Sequence, residues 1–153
     1  MLLVKNLLFT FVVPGTVAVY VPLRLAQGRT AAADGIFVLA LVLFIVGGAI
    51  YAWCVWDFAT FGRGTPLPLD APSRLVVRGL YRFTRNPMYV GVLTVICGWA
   101  VLYRSAALAG YALSVCLCFH VVVVLYEEPH LRRVFGREYE DYCNDVRRWA
   151  PRL

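Results

Sequence analysis

The chain has 153 residues, of which 61% are hydrophobic and 16% charged, with a formal net charge of +6 and a mean hydropathy of +0.69. One domain of this length cannot hide so much apolar side chain from water, so composition excludes an ordinary soluble fold and points to a polytopic, all-α membrane protein. The positive charge is almost all arginine, scattered around apolar runs rather than gathered in a basic domain, which argues against nucleic acid as a partner.

Residues 2–23 form the first apolar run, broken only by Lys5 and Asn6, with Pro14 placed to kink a helix. The run is longer than a signal-peptide core and lacks a good cleavage site, so an uncleaved span is expected. A short polar link leads to a second span over 35–58, with Gly47 and Gly48 at its middle, where small residues let another helix approach closely. Residues 61–86 read as a loop rich in Gly and Pro. Pro87 then opens a third span of modest length, Arg104 and Ser105 make a turn, and residues 106–126 form the fourth span. The third and fourth spans make a helical hairpin over 87–126. In the tail, 127–153, Leu131, Phe135, Tyr139 and Tyr142 recur at helical spacing, the pattern of an amphipathic helix. The whole is one domain over 1–153, with two N-terminal spans (1–60), a loop, a hairpin and a tail.

Charge fixes the expected orientation. With four spans, Lys5, the loop arginines and the tail arginines share one side, twelve of the fifteen basic residues, against Arg24, Arg29 and Arg104 on the other. That asymmetry places both termini, the loop and the tail in the cytoplasm. The five cysteines are an odd number without a CxxC pair, which favours neither a disulfide framework nor a metal site.

Two polar stretches therefore meet at one membrane face. The first is 77–91, with Asn86 as an expected N-cap and Pro87 at the first helical position; the amides of this helix start suit an anion. The second is Glu127-Glu128-Pro129 at the end of the fourth span, where Pro129 is expected to break the helix at Glu128. Acidic groups near lipid call for a bound or paired cation; the plain reading is an interfacial salt bridge to Arg82, Arg85 or Arg132. His120 precedes Glu127 by seven residues, on the same face of a regular helix, and is a candidate proton acceptor or a partner for a neighbouring helix. The residues thus outline a site with cationic and anionic halves beside lipid, suited to a zwitterionic cofactor and an amphiphilic substrate.

The order Gly79-Leu80-Tyr81, Arg85-Asn86-Pro87-Met88-Tyr89-Val90-Gly91, Glu127-Glu128, Phe135-Gly136, Tyr139, Tyr142 and Arg148-Trp149-Ala150-Pro151 resembles the isoprenylcysteine carboxyl methyltransferases and, more broadly, the phospholipid methyltransferases. The resemblance covers roughly 65–152. It implies a membrane methyltransferase using S-adenosyl-L-methionine, acting on a lipid-like acceptor, without a metal. The resemblance and the residue pattern together give Ser73, Arg74, Leu75, Val76, Tyr81, Asn86, Pro87, Met88, Tyr89, Gly91, Glu127 and Glu128 as the expected cofactor-binding residues and Glu127 and Arg85 as candidate catalytic groups, to which helical spacing adds His120. Three positions depart from the family: Asn86 and Ser73 stand where histidines are expected, and Val123 stands where a substrate-linked arginine is expected. The missing arginine weakens the case for methyl-ester formation and leaves carboxyl, thiol and amine acceptors open, and the short chain looks prokaryotic, which places it in a bacterial inner membrane. Two rival readings are an NADPH-dependent reductase of the sterol and steroid type, which has a similar Arg-x-Pro-x-Tyr pattern, and a non-enzymatic membrane partner protein.

Overall fold

A computed structural model describes residues 13–62 and 75–150. Among them the chain is helical, with no strand. Helix α1 covers Val13–Leu25, α2 Gly35–Asp57, α3 Pro87–Leu102, α4 Ala106–Phe135 and α5 Arg137–Asp145. Two helical stretches, Gly35–Phe61 and Ala106–Phe135, are long and apolar enough to cross a membrane, while Val13–Leu25 and Pro87–Leu102 are apolar but shorter. Only 11% and 17% of the two long apolar windows is buried inside the molecule. Core helices of a soluble protein would be covered by protein; these present their apolar side chains outward, as a lipid solvent requires. The count of two long spans is narrower than the four expected from hydropathy.

Side-chain size explains how the helices pair. Helices α2 and α3 meet backbone to backbone at Gly47 and Gly91, where a Cβ on Gly47 would lie 2.7 Å from the Gly91 carbonyl oxygen. Gly98 lies against the Phe44 ring in the same seam. Gly48 faces open space, so of the expected pair Gly47 alone makes the close approach. Helix α1 is tied on by its carbonyls: Trp99 Nε1 donates to Ala18 at 2.8 Å and the Tyr111 hydroxyl to Val17 at 2.8 Å. Ala18, Val92, Ile96, Ala112 and Val115 close the core between α1, α3 and α4.

At the end remote from the 75–86 segment, Asp34 caps α2 by accepting from the Ile36 amide and pairs with Arg104 in the α3–α4 turn. Ser105 caps α4 through the Leu108 amide. The turn at Arg104 and Ser105 falls where the sequence puts it.

Two expectations about α4 fail. The helix does not break at Glu128 but runs on to Phe135, because residues Val123–Glu127 form a π turn in which the Glu128 amide bonds the Val123 carbonyl. The wider turn takes in Pro129 within the first turn of the α segment that follows, where a missing N–H costs little. The chain reverses instead at Gly136, whose φ of 53° is open to glycine without penalty, and the tail helix is confined to α5.

Candidate active site

A cavity of about 160 Å³ lies between the inner ends of α1–α4 and the tail. Its lining is mostly apolar, with Tyr51, Val92, Phe119 and Val123 among the walls, and its polar groups come from Arg85, Asn86, Glu127 and Glu128. Tyr81, Tyr139 and Tyr142 complete the polar wall.

The 3₁₀ turn Gly79–Arg82 carries Tyr81 into the wall. Its start is set by Asp57, buried at the end of α2 and paired with Arg78 at 3.3 Å, and by Gly79 at φ 55°, where a Cβ would strike Asp57 and the Trp53 indole. The Tyr142 hydroxyl donates to the Tyr81 carbonyl at 2.7 Å, which joins α5 to this turn. Burial pushes the phenols of Tyr81, Tyr139 and Tyr142 above their ordinary range, so all three are neutral hydrogen-bonding groups.

The two adjacent carboxylates have different surroundings. Glu128, 3% exposed, accepts from Arg148 through Nε at 2.7 Å and Nη2 at 3.1 Å, with Arg85 at 3.3 Å and Arg132 at 3.4 Å. It is thus the salt-bridge residue that the plain reading allowed, with Arg148 as the strongest partner and Arg82 not among its partners. Glu127 accepts a hydrogen bond from the Tyr89 hydroxyl and has no ion pair among the described residues. Tyr89 is in turn packed on Phe119, ring centroids 4.4 Å apart. The cavity therefore holds one carboxylate already neutralised by guanidinium groups and one without a cation.

Arg85 sits between these parts. Its Nη1 lies 2.6 Å from the Cys143 sulfur and 3.3 Å from Glu128, while its buried Nε has no partner. A buried N–H without a protein partner is open to a water or a bound ligand. Asn86 does not cap α3 with its side chain. Its Nδ2 donates to the Arg148 carbonyl at 3.0 Å, the Thr84 hydroxyl donates to the same carbonyl, and the Arg85 amide bonds the Arg147 carbonyl. The stretch 146–149 is thereby laced along 84–86 as a strap, its Arg148 side chain anchored on Glu128.

Of the residues read from sequence, Leu75, Val76, Tyr81, Arg85, Asn86, Met88, Tyr89, Glu127 and Glu128 line the cavity. Pro87 is buried at the start of α3 without lining it, and Gly91 packs on Gly47 instead. Ser73 and Arg74 lie outside the described residues. His120 is exposed and its Nδ1 accepts from the Trp149 indole at 3.2 Å. The seven-residue spacing that put it on the face of Glu127 assumes a regular helix, and the π turn removes that regularity. Val123, expected at a substrate-linked position, does line the cavity, while Phe119, Tyr139, Tyr142 and Arg148 are contributors that sequence reasoning did not assign to the site; the helical spacing of the two tyrosines was visible as a tail face. Among the described residues no cluster of three His, Cys, Asp or Glu side chains could hold a metal.

Comparison with known proteins bears on what such a cavity is for. The sequence pattern of the phospholipid methyltransferases matches residues 36–138. A probable protein-S-isoprenylcysteine O-methyltransferase of rice is 32% identical over 118 residues, 74% of this chain and 60% of its own length. Protein-S-isoprenylcysteine O-methyltransferase B of Arabidopsis thaliana is 32% identical over 78 residues, 51% of this chain and 40% of its own length. A phosphatidylethanolamine N-methyltransferase of Talaromyces marneffei is 34% identical over 68 residues, 44% of this chain and 7% of its own length. The chain thus spans less than two thirds of the length of each of these relatives. No solved structure matches it significantly.

Proposed function

The chain belongs to the phospholipid methyltransferase family, and from that premise we propose that it is a membrane methyltransferase that takes its methyl group from S-adenosyl-L-methionine and gives it to a lipid-like acceptor. The observation that carries this reading is the pairing of an uncompensated carboxylate, Glu127, with an unpartnered buried guanidinium N–H, Arg85 Nε, in one cavity. A zwitterionic amino-acid moiety needs those two complements. Glu127 and the Tyr89 hydroxyl would hold its ammonium group; Arg85 Nε and the free amides at the start of α3 would hold its carboxylate. Asn86, its donor spent on Arg148, orders the strap around that end. The cofactor supplies a methyl group on a sulfonium, and the aromatic faces of Tyr89, Phe119 and Tyr81 suit that charge.

What the protein contributes is position. A mostly apolar cavity brings a lipid-like acceptor out of water and holds it in line, a proximity effect rather than proton chemistry. His120 lies outside the cavity, and a general base is not required when the acceptor is already nucleophilic. Arg85, the arginine in the cavity lining, is divided between Glu128 and the cofactor carboxylate, and Val123 is a buried part of the apolar wall. No second cation lines the cavity among the described residues to take an acceptor carboxylate, which favours an amine or thiol head.

The same reading carries four spans, the two shorter apolar helices crossing with tilt or local thinning, with the cavity and both termini in the cytoplasm of a bacterial inner membrane; the basic asymmetry supports it. The test is incubation of membranes bearing the protein with methyl-labelled S-adenosylmethionine and a lipid extract. Label entering the lipid fraction, lost in Glu127→Ala, is expected. No label in lipid, protein or small amphiphile fractions would contradict the activity.

A further inference from the structure

A regular helix advances about 100° per residue. From Val123, whose side chain walls the cavity, such a helix would put Glu128 about 140° away, on the lipid side, and would turn Tyr126 and His130 inward. The structure has the opposite arrangement. Phe119, Val123, Glu127, Glu128 and Leu131 all line the cavity, while Tyr126 is 46% exposed and stacks on His130 outside it. The difference is the π turn over Val123–Glu127, which adds one residue between Val123 and Glu128.

From this we infer that the π turn is the device that lets two consecutive carboxylates share one face, Glu127 toward the ligand and Glu128 in the arginine clamp, and that Pro129 is the positioning residue that holds it. Pro129 has no N–H for the Leu125 carbonyl, and in an unbroken α-helix its ring would collide with that carbonyl. The wide turn relieves both. Leu125 is the residue the turn can spare: it is 72% exposed and does not line the cavity. Without it, Val123 and Glu128 stand four apart, the same step as Phe119 to Val123, and a plain α-helix reproduces the observed face.

This predicts a rescue by deletion. In the full chain, Pro129→Ala lets the turn relax to α, rotates Glu128 off its arginines, lowers the thermal unfolding midpoint and weakens S-adenosylhomocysteine binding by about tenfold to a hundredfold, the scale of one lost charge-assisted hydrogen bond. Deleting Leu125 in that variant restores both. Inserting an alanine after Leu125 in the unaltered chain, a second extra residue, abolishes both. No loss in Pro129→Ala, a further loss on deleting Leu125, or equal tolerance of the insertion would overturn the inference. The binding readout rests on the cavity being the cofactor site, whereas the unfolding readout does not, because the clamp on Glu128 exists without ligand. If the unaltered protein fails to bind S-adenosylhomocysteine while the midpoints follow the rescue pattern, the register device stands and the cofactor assignment falls.

Discussion

Replacing Glu128 with glutamine tests the clamp that holds the tail against the hairpin. The substitution keeps the volume and removes the charge that three guanidinium groups share. Their contributions are unequal. Arg132 is 47% exposed and four residues away on the same helix, so its pair is worth about 0.3–0.5 kcal/mol. Arg148 donates twice, through bonds of 2.7 and 3.1 Å. Arg85 is only 11% exposed and its Nε is already without a partner. Without Glu128 its charge would be left in a poorly solvated place, and removing one partner of a buried pair costs about 3–5 kcal/mol. We therefore expect Glu128→Gln to destabilise by about 3 kcal/mol, with Arg132→Ala below about 0.5 kcal/mol and Arg148→Ala between them. Reversible unfolding in detergent and mixed micelles, followed by tryptophan fluorescence, measures all three. Trp149 lies in the strap and should report its release. Equal, small effects for Glu128→Gln and Arg132→Ala would refute the claim that the buried Arg85–Arg148 side carries the clamp.

Other outcomes follow from the same geometry. Gly47→Ala should destabilise by about 1–3 kcal/mol, because the new methyl meets backbone at Gly91 that cannot yield, whereas Gly48→Ala, facing open space, should be neutral or slightly stabilising; unfolding midpoints compare them. His120→Ala should leave cofactor affinity unchanged and cost about 1 kcal/mol through the lost Trp149 contact, and a large loss of affinity would return His120 to the site. Tyr89→Phe removes the hydroxyl that orients Glu127 and should weaken S-adenosylhomocysteine binding by about 1 kcal/mol, read by calorimetry, without lowering stability by more than that.

The helices, the turn at Arg104 and Ser105 and the meeting of the 85–89 and 127–128 segments are legible in the sequence, because apolar run length, proline placement and turn residues act locally. Helix α4 shows where local rules stop. Pro129 does signal a disturbance, yet the sequence does not say whether the helix breaks or widens, because the arginines that meet Glu128 after a widening include one twenty residues further along the chain. The face on which His120 sits is misjudged for the same reason, since a single extra residue defeats an i, i+7 argument. Asn86 has the composition of a cap and donates instead to a carbonyl 62 residues away, in a non-helical strap that carries no periodic signal. Tyr142, Arg148 and Asp57 likewise gain their roles from partners distant in the chain. The division of labour between Glu127 and Glu128 could not be read from two identical neighbours.

Calorimetric titration of the detergent-purified protein and of its Glu127→Gln variant with S-adenosylhomocysteine, with NADPH in parallel, tests the central claim most directly. Binding of S-adenosylhomocysteine alone is expected, weakened by about 1.5–3 kcal/mol in the variant, the scale of a charge-assisted hydrogen bond. Binding of NADPH instead, or of neither by folded protein, would contradict it.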